Sequence, residues 1–209
     1  MGNVIDFKRK EEPVSDEQTI YFWWKFDNAL DDETVDKILE IGEGEWKTAT
    51  VKDKDNPTNE DIRKTDLIWN NDQWLYDTFW GYMQGANQNA GWNLELSCAE
   101  SFQLGRYTDG GHYDFHLDNH GFQKMNEPGN IMDGTTRKLS MVCWLNEDFE
   151  GGEFEFHDSV SSKDDTSRII KPTKGTIVFF PSWLAHKVHP VTEGTRYSLV
   201  TWFRGQPVR

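Results

Sequence analysis

The run Thr19–Phe26 (TIYFWWKF) is crowded with aromatic and β-branched residues and predicts a strand. Acids at Asp31, Asp32 and Glu33 then sit where a helix dipole favours them. Val35, Ile38 and Leu39 follow at helical spacing, and Gly42 stops the element. Glu45–Val51 reads as another strand, and 52–65 (KDKDNPTNEDIRKT) as a polar loop. Asn71 can cap a second helix reaching about Ala90, with Leu75, Phe79, Met83 and Ala86 as its apolar stripe. From Trp92 the pattern changes to strands, at 94–107, 111–118, 137–146, 152–157, 175–180, 186–190 and 195–204, with glycines in the gaps. Two early helices followed by many strands predict a mainly β fold, a sandwich or barrel supported by N-terminal helices. Two long polar segments, 119–136 and 157–168, predict binding loops or lids.

A length of 209 residues suits one domain at 19–209, made of a helix-rich support (19–91) and a β core (92–204) behind a loose charged tail (1–18). The net charge of −14 repels phosphate backbones and anionic lipid, so neither nucleic acid nor membrane is an expected partner. Cys98 and Cys143 are too few for a disulfide scaffold and lie in apolar segments, which predicts buried free thiols. The start of the chain has no apolar signal region, and no stretch is apolar enough to span a bilayer, so a cytoplasmic location is expected. Oligomeric state is not legible.

Chemistry concentrates in the histidines. In HYDFHLD, His116 and Asp118 lie two apart on an expected strand, where i and i+2 share a face. An imidazole and a carboxylate on one face can converge on an ion, and His186 opens a later strand that could supply a third ligand. Two His and one carboxylate on one face make the triad of non-haem Fe(II) oxygenases, which leaves coordination positions open. An isolated H-x-D pair is more often a solvated strand surface. Ten residues after His186, Arg196 shares a strand face with Ser198, Val200 and Trp202, while Tyr197, Leu199 and Thr201 face the other way. An inward arginine needs a carboxylate. A protein salt bridge is the default partner, and a small dicarboxylic acid reaching from the metal is the functional one.

These motifs occur in an order that resembles a known family. Tyr107-x-x-Gly110-x-x-Tyr113-x-x-His116-x-Asp118 resembles the first motif of prolyl 4-hydroxylase-type 2-oxoglutarate/Fe(II) dioxygenases. RKLSMVCWLN (137–146) with Gly151–Gly152–Glu153 is similar to their middle strands. His186-x-Val188-x-Pro190–Val191–Thr192-x-Gly194-x-Arg196, after FFPSWLAH, is similar to their last motif, especially in the bacterial and phage branch. The resemblance covers roughly 92–204. It implies a double-stranded β-helix (jelly-roll), Fe(II) on His116, Asp118 and His186, and 2-oxoglutarate with its distal carboxylate on Arg196. Tyr107 and Ser198 would add hydroxyls there and Trp202 would line the pocket. O₂ would be a further cosubstrate and ascorbate a candidate accessory reductant. The implied reaction hydroxylates a C–H bond, with succinate and CO₂ as coproducts, on a prolyl residue of a peptide or protein. Tyr113, His120 and Arg137 are candidate substrate residues, although strict alternation puts Tyr113 on the face opposite His116. His186 fits the family spacing better than its rival His189.

Three other readings stay open at this point: oxidative demethylation of nucleic acid bases, hydroxylation of a small molecule such as an amino acid, and a non-catalytic jelly-roll binding module. Arg204 is a faint argument for the first, and the acidic balance opposes it.

Overall fold

The computed structural model describes residues 20–51, 58–119, 121, 130–157 and 169–207. The expected tail (1–18), most of the two expected lid segments, and His120 lie outside the described residues.

Chain order runs β1 (Trp24–Phe26), α1 (Asp32–Leu39), β2 (Lys47–Thr48), β3 (Arg63–Lys64), β4 (Asp66–Asn70) and α2 (Gln73–Asn89). Then come β5 (Cys98–Ala99), β6 (Phe102–Tyr107), β7 (His112–His116), β8 (Thr136–Trp144), β9 (Phe149–Gly151), β10 (Phe154–Phe156) and β11 (Ile169–Ile170). The chain ends in β12 (Ile177–Pro181), β13 (His186–Val188), β14 (Val191–Gly194) and β15 (Arg196–Gly205). The major sheet has the order β1-β12-β8-β15-β6-β4-β2, with β5 also paired to β15. The minor sheet has the order β11-β10-β13-β7-β3, and β14 pairs with β9 separately. All recorded pairings are antiparallel. The result is the helix-supported β sandwich expected from the strand pattern, in the jelly-roll form that the resemblance implied.

The central strands of the major sheet are buried on both faces, which is why they read as continuous apolar runs rather than as alternation. On β12, Ile177 and Phe179 enter a core shared with the helices, while Val178 and Phe180 enter the core between the sheets. On β8, Leu139, Met141 and Cys143 belong to the first core, Val142 and Trp144 to the second. The α2 stripe Leu75, Phe79, Met83 and Ala86 is buried in the first core, as its spacing required. Asp31 caps α1 by accepting from the Thr34 backbone N–H. Helix α2 starts one residue later than expected, with Asp72 rather than Asn71 at its cap position. Cys98 and Cys143 are free and buried, and burial pushes the Cys143 thiol up.

Some short strands were not foreseen. Strands β3 and β4 fall in or just after the polar loop assigned to 52–65, and β3 pairs with β7 beside the histidines. A two-residue strand has too little pattern to be seen in sequence; its partner creates it.

Candidate metal centre

The minor sheet places β7 beside β13, with His116 opposite His186. Asp118 lies just beyond β7, with its carboxylate close to both rings. The His116 Nε2–Asp118 Oδ1 distance is 3.7 Å and the His186 Nε2–Asp118 Oδ2 distance is 3.5 Å. The potential ligand atoms of all three residues lie within 4.8 Å of one another. Each imidazole Nδ1 is within hydrogen-bond distance of a backbone carbonyl, Asp114 O for His116 (2.8 Å) and Leu184 O for His186 (2.9 Å). With Nδ1 protonated to reach those carbonyls, Nε2 of each ring is left as the lone-pair donor. Ser140 donates to Asp118 Oδ2 at 2.8 Å and lies 2.9 Å from Ser182 Oγ, which fixes the carboxylate.

The electrostatics suit a cation. Burial, reinforced by the neighbouring His186, lowers the His116 pKa to about 3, so the ring is neutral and able to ligate. Burial opposes the Asp118 charge, but His186 and His116 outweigh it and hold the carboxyl below its ordinary range. Two imidazole nitrogens and one carboxylate oxygen make an N₂O donor set that matches Fe(II) chemistry. His189 is not part of the group; its Nε2 meets Glu155 at 2.6 Å. His112 contacts the backbone oxygens of Gly110 and Asp61, and His157 packs against Phe115.

The triad lines a cavity of about 730 Å³ that also reaches Arg196, Tyr107, Ser198, Val200 and Trp202. The alternation argument for β15 therefore holds: Arg196, Ser198, Val200 and Trp202 face the cavity, whereas Tyr197 and Leu199 pack in the helix-side core. Arg196 is 0% exposed. Its Nη1 donates to Ser198 Oγ at 3.1 Å, its guanidinium lies 5.0 Å from the Tyr107 ring centroid, and Nε and Nη2 have no partner. Burial pushes its pKa down to about 10. No acid satisfies this charge among the described residues, so the salt-bridge alternative for Arg196 is not realised. Buried unpaired donors of this kind fit an incoming carboxylate. Gly152, at φ +65°, permits the approach: a Cβ there would meet Arg196 Cδ at 2.8 Å.

Tyr113 lies in the cavity, stacked on His116 with ring centroids 3.5 Å apart and an interplanar angle of 16°. Strict alternation put it on the opposite face. The reason for the difference is a register break: Val188 pairs with Tyr113 and His186 with His116, so three steps on β7 face two on β13. Arg137 also lines the cavity, but both its Nε and Nη2 are bound to Glu100, at 2.7 and 2.6 Å, and it stacks over Trp202 at 3.7 Å. Arg204 is 1% exposed and donates to Glu100 and Thr135, so it is a structural residue with no surface to offer nucleic acid.

Sequence reasoning missed Ser140, Glu100, Gln103 and Arg63. Gln103 was detectable, since it alternates inward with Gly105 and Tyr107 on β6. Arg63 carried no signal, because its segment reads as loop.

Comparison with known proteins agrees with this architecture. A family model described as "2OG-Fe(II) oxygenase superfamily" matches residues 102–204. A PKHD-type hydroxylase of Pseudomonas fluorescens strain Pf-5 is 36% identical over 98 residues, 46% of this chain and 39% of the relative. The chain thus matches about two fifths of the length of such curated relatives. A Pseudomonas putida prolyl-4-hydroxylase crystal structure superposes with a TM-score of 0.63 at 23% identity, covering 88% of this chain and 93% of that one. A prolyl hydroxylase from Trichoplax adhaerens, solved with a hypoxia inducible factor peptide fragment, gives 0.65 at 17% identity, covering 87% and 83%. Residues 102–204 thus carry the match to the 2OG-Fe(II) oxygenase superfamily, and the ordered motifs and the jelly-roll fold agree with that match.

Proposed function

We propose that the chain is a 2-oxoglutarate- and Fe(II)-dependent dioxygenase that hydroxylates a C–H bond, with a prolyl residue of a peptide as its substrate. The carrying observation is that one cavity holds both a His116–Asp118–His186 donor set and a fully buried arginine without an acid. In this reading the triad holds Fe(II), and Arg196, with Ser198 and Tyr107 beside it, holds the distal carboxylate of 2-oxoglutarate. Bound there, the metal and its cosubstrates supply the oxidising power for hydroxylation, with succinate and CO₂ as coproducts.

The protein's own work is positioning. Ser140 and the two backbone carbonyls orient the ligand atoms. Trp202 and Val200 wall the space between the two ends, and Phe154 and Phe180 pack on the His186 ring and keep it dry. No acid–base dyad is required, since the chemistry belongs to the cofactor. Residues 19–209 form one catalytic domain in this reading. The prolyl substrate draws support from the prolyl hydroxylases that share the fold. The demethylase reading loses Arg204, the residue that favoured it.

The test is spectroscopic. Anaerobic addition of Fe(II) and 2-oxoglutarate should produce a weak visible charge-transfer band, absent in His116→Ala. Succinate release with a one-oxygen mass gain on proline-containing peptides then checks the substrate. A wild-type protein that binds neither ligand overturns the reading.

A further inference from the structure

The cavity carries a second arginine that the proposed chemistry leaves unused. Arg63 is 9% exposed and lines the same space as the triad. Its guanidinium carbon lies 4.5 Å from the Tyr113 ring centroid, the ring that stacks on His116. Nη2 donates to Gln103 Oε1 at 2.9 Å, and Nε is without a partner. No carboxylate pairs with Arg63 among the described residues, in a chain with 36 acids against 22 basic residues.

Gln103 is 5% exposed and in the same wall. An arginine only donates, so the Gln103 amide oxygen must face it and the amide NH₂ must turn the other way. No acceptor for that NH₂ is present among the described residues. Beside the metal ligands, Arg63 Nε is thus a buried donor without a partner, and the neighbouring Gln103 NH₂ makes no hydrogen bond among the described residues.

The charge inventory points the same way. Lys47, Arg63, Arg137 and Arg196 line the cavity against a single acid, Asp118. Glu100 pairs with Arg137 and shares its single charge with Arg204, which does not line the cavity. In the proposed loaded state, Fe(II), Asp118 and dianionic 2-oxoglutarate sum to one negative charge, which Arg196 cancels. Arg63 and the exposed Lys47 remain uncompensated. A buried cation without a counter-ion is costly, and a substrate anion relieves that cost.

We propose that Arg63 and Gln103 form a carboxylate-binding subsite, and that the substrate carries a carboxylate close to the C–H bond that is oxidised. The subsite rests on the oxygenase reading above and narrows its substrate to an acidic peptide segment. A negatively charged protein acting on an acidic peptide needs such a local positive patch, because the overall field repels the substrate.

The test uses proline-containing peptides in matched pairs. One member has Asp or Glu beside the proline, or a free C-terminal carboxylate; the other has the corresponding amide. Binding is read by tryptophan fluorescence of the protein loaded with Mn(II) and 2-oxoglutarate, and turnover by one-oxygen mass gain with Fe(II). Wild type should favour the acid of at least one pair roughly tenfold or more, the scale of a charge-assisted contact. Arg63→Gln should bring the acid-to-amide ratio near one. Gln103→Glu, which puts a carboxylate of the protein's own beside Arg63, should do the same, and it stands in if the first variant does not fold. Equal behaviour of acid and amide in every pair, including equal failure to bind, overturns the subsite while 2-oxoglutarate is still bound and consumed. A preference that survives in both variants overturns it too. Failure to bind 2-oxoglutarate at all instead overturns the oxygenase reading.

Discussion

Arg196 concentrates the physical tension of the molecule in one side chain. It is fully buried, and two of its nitrogens have no partner. Replacing it with methionine removes that cost, so Arg196→Met should make the ligand-free protein more stable by about 1–3 kcal/mol, read by chemical denaturation. The same substitution should abolish 2-oxoglutarate binding in calorimetry. Function and stability oppose each other at this position. Glu100 shows the reverse. Its carboxylate binds both Arg137 and Arg204, and Glu100→Gln leaves the buried Arg204 and the partly buried Arg137 without a counter-charge, a loss of about 3–5 kcal/mol. Burial pushes the Glu100 carboxyl up, but hydrogen bonds and charge from Arg137 and then Arg204 outweigh it, so its pKa falls below the ordinary 4.5. A depressed folded pKa means that its stabilisation is complete above the ordinary value and is lost as pH falls through the depressed one. Urea midpoints between pH 6 and pH 3 should fall in wild type and flatten in Glu100→Gln.

Elements matter here where they depart from regularity. The register break between β7 and β13 brings Tyr113 round to the His116 face, and that one extra residue decides whether a tyrosine stands beside the candidate metal or outside the sheet. Gly151, the last residue of β9, and Gly152, just after it, both have positive φ. Gly152→Ala would add backbone strain and a Cβ 2.8 Å from Arg196 Cδ. The expected outcome is a loss of 2-oxoglutarate affinity of tenfold or more, with triad metal binding retained, measured by Mn(II) binding with and without 2-oxoglutarate. Equal loss of both would place the damage in the fold rather than at the arginine. The two-residue strand β3 shows a different dependence: it exists through its pairing with β7, and that pairing delivers Arg63 to the cavity.

At the scale of the molecule, the two larger sheets and two helices make a double core, and strands of both sheets line the cavity around the triad. A ligand that binds only the folded state raises stability by an amount set by its concentration over its dissociation constant. Mn(II) alone at a hundredfold excess over its dissociation constant should add about 2.7 kcal/mol, and 2-oxoglutarate should add to that. The melting temperature should rise accordingly and return on addition of a chelator, with no rise in His116→Ala. The net charge of −14 does not describe the cavity, whose charged side chains are predominantly cationic. An acidic exterior around a basic interior leaves the charge argument against nucleic acid in place, and it favours a small or flexible acidic ligand able to enter.

What the sequence determined by itself is what repeats along the chain or recurs in ordered motifs. Period 3.6 in α2 identified Leu75, Phe79, Met83 and Ala86 as core, and period 2 in β15 separated Arg196, Ser198, Val200 and Trp202 from Tyr197 and Leu199. The H-x-D spacing, His186 and Arg196 marked the candidate site because each lies on a strand long enough to have a face, or beside one. Tertiary structure decided the rest. Whether Arg196, Arg137 or Arg204 meets an acid depends on which strands become neighbours, and local pattern carries no information about that: Glu100 is 37 residues from Arg137 and 104 from Arg204, yet it binds both. Tyr113 needed a register break, Gln103 needed Arg63 to orient its amide, and Arg63 needed a partner strand to have any position at all. Periodicity assigns a side chain to a face; pairing and burial select what it meets there, and whether its charge is left for a ligand.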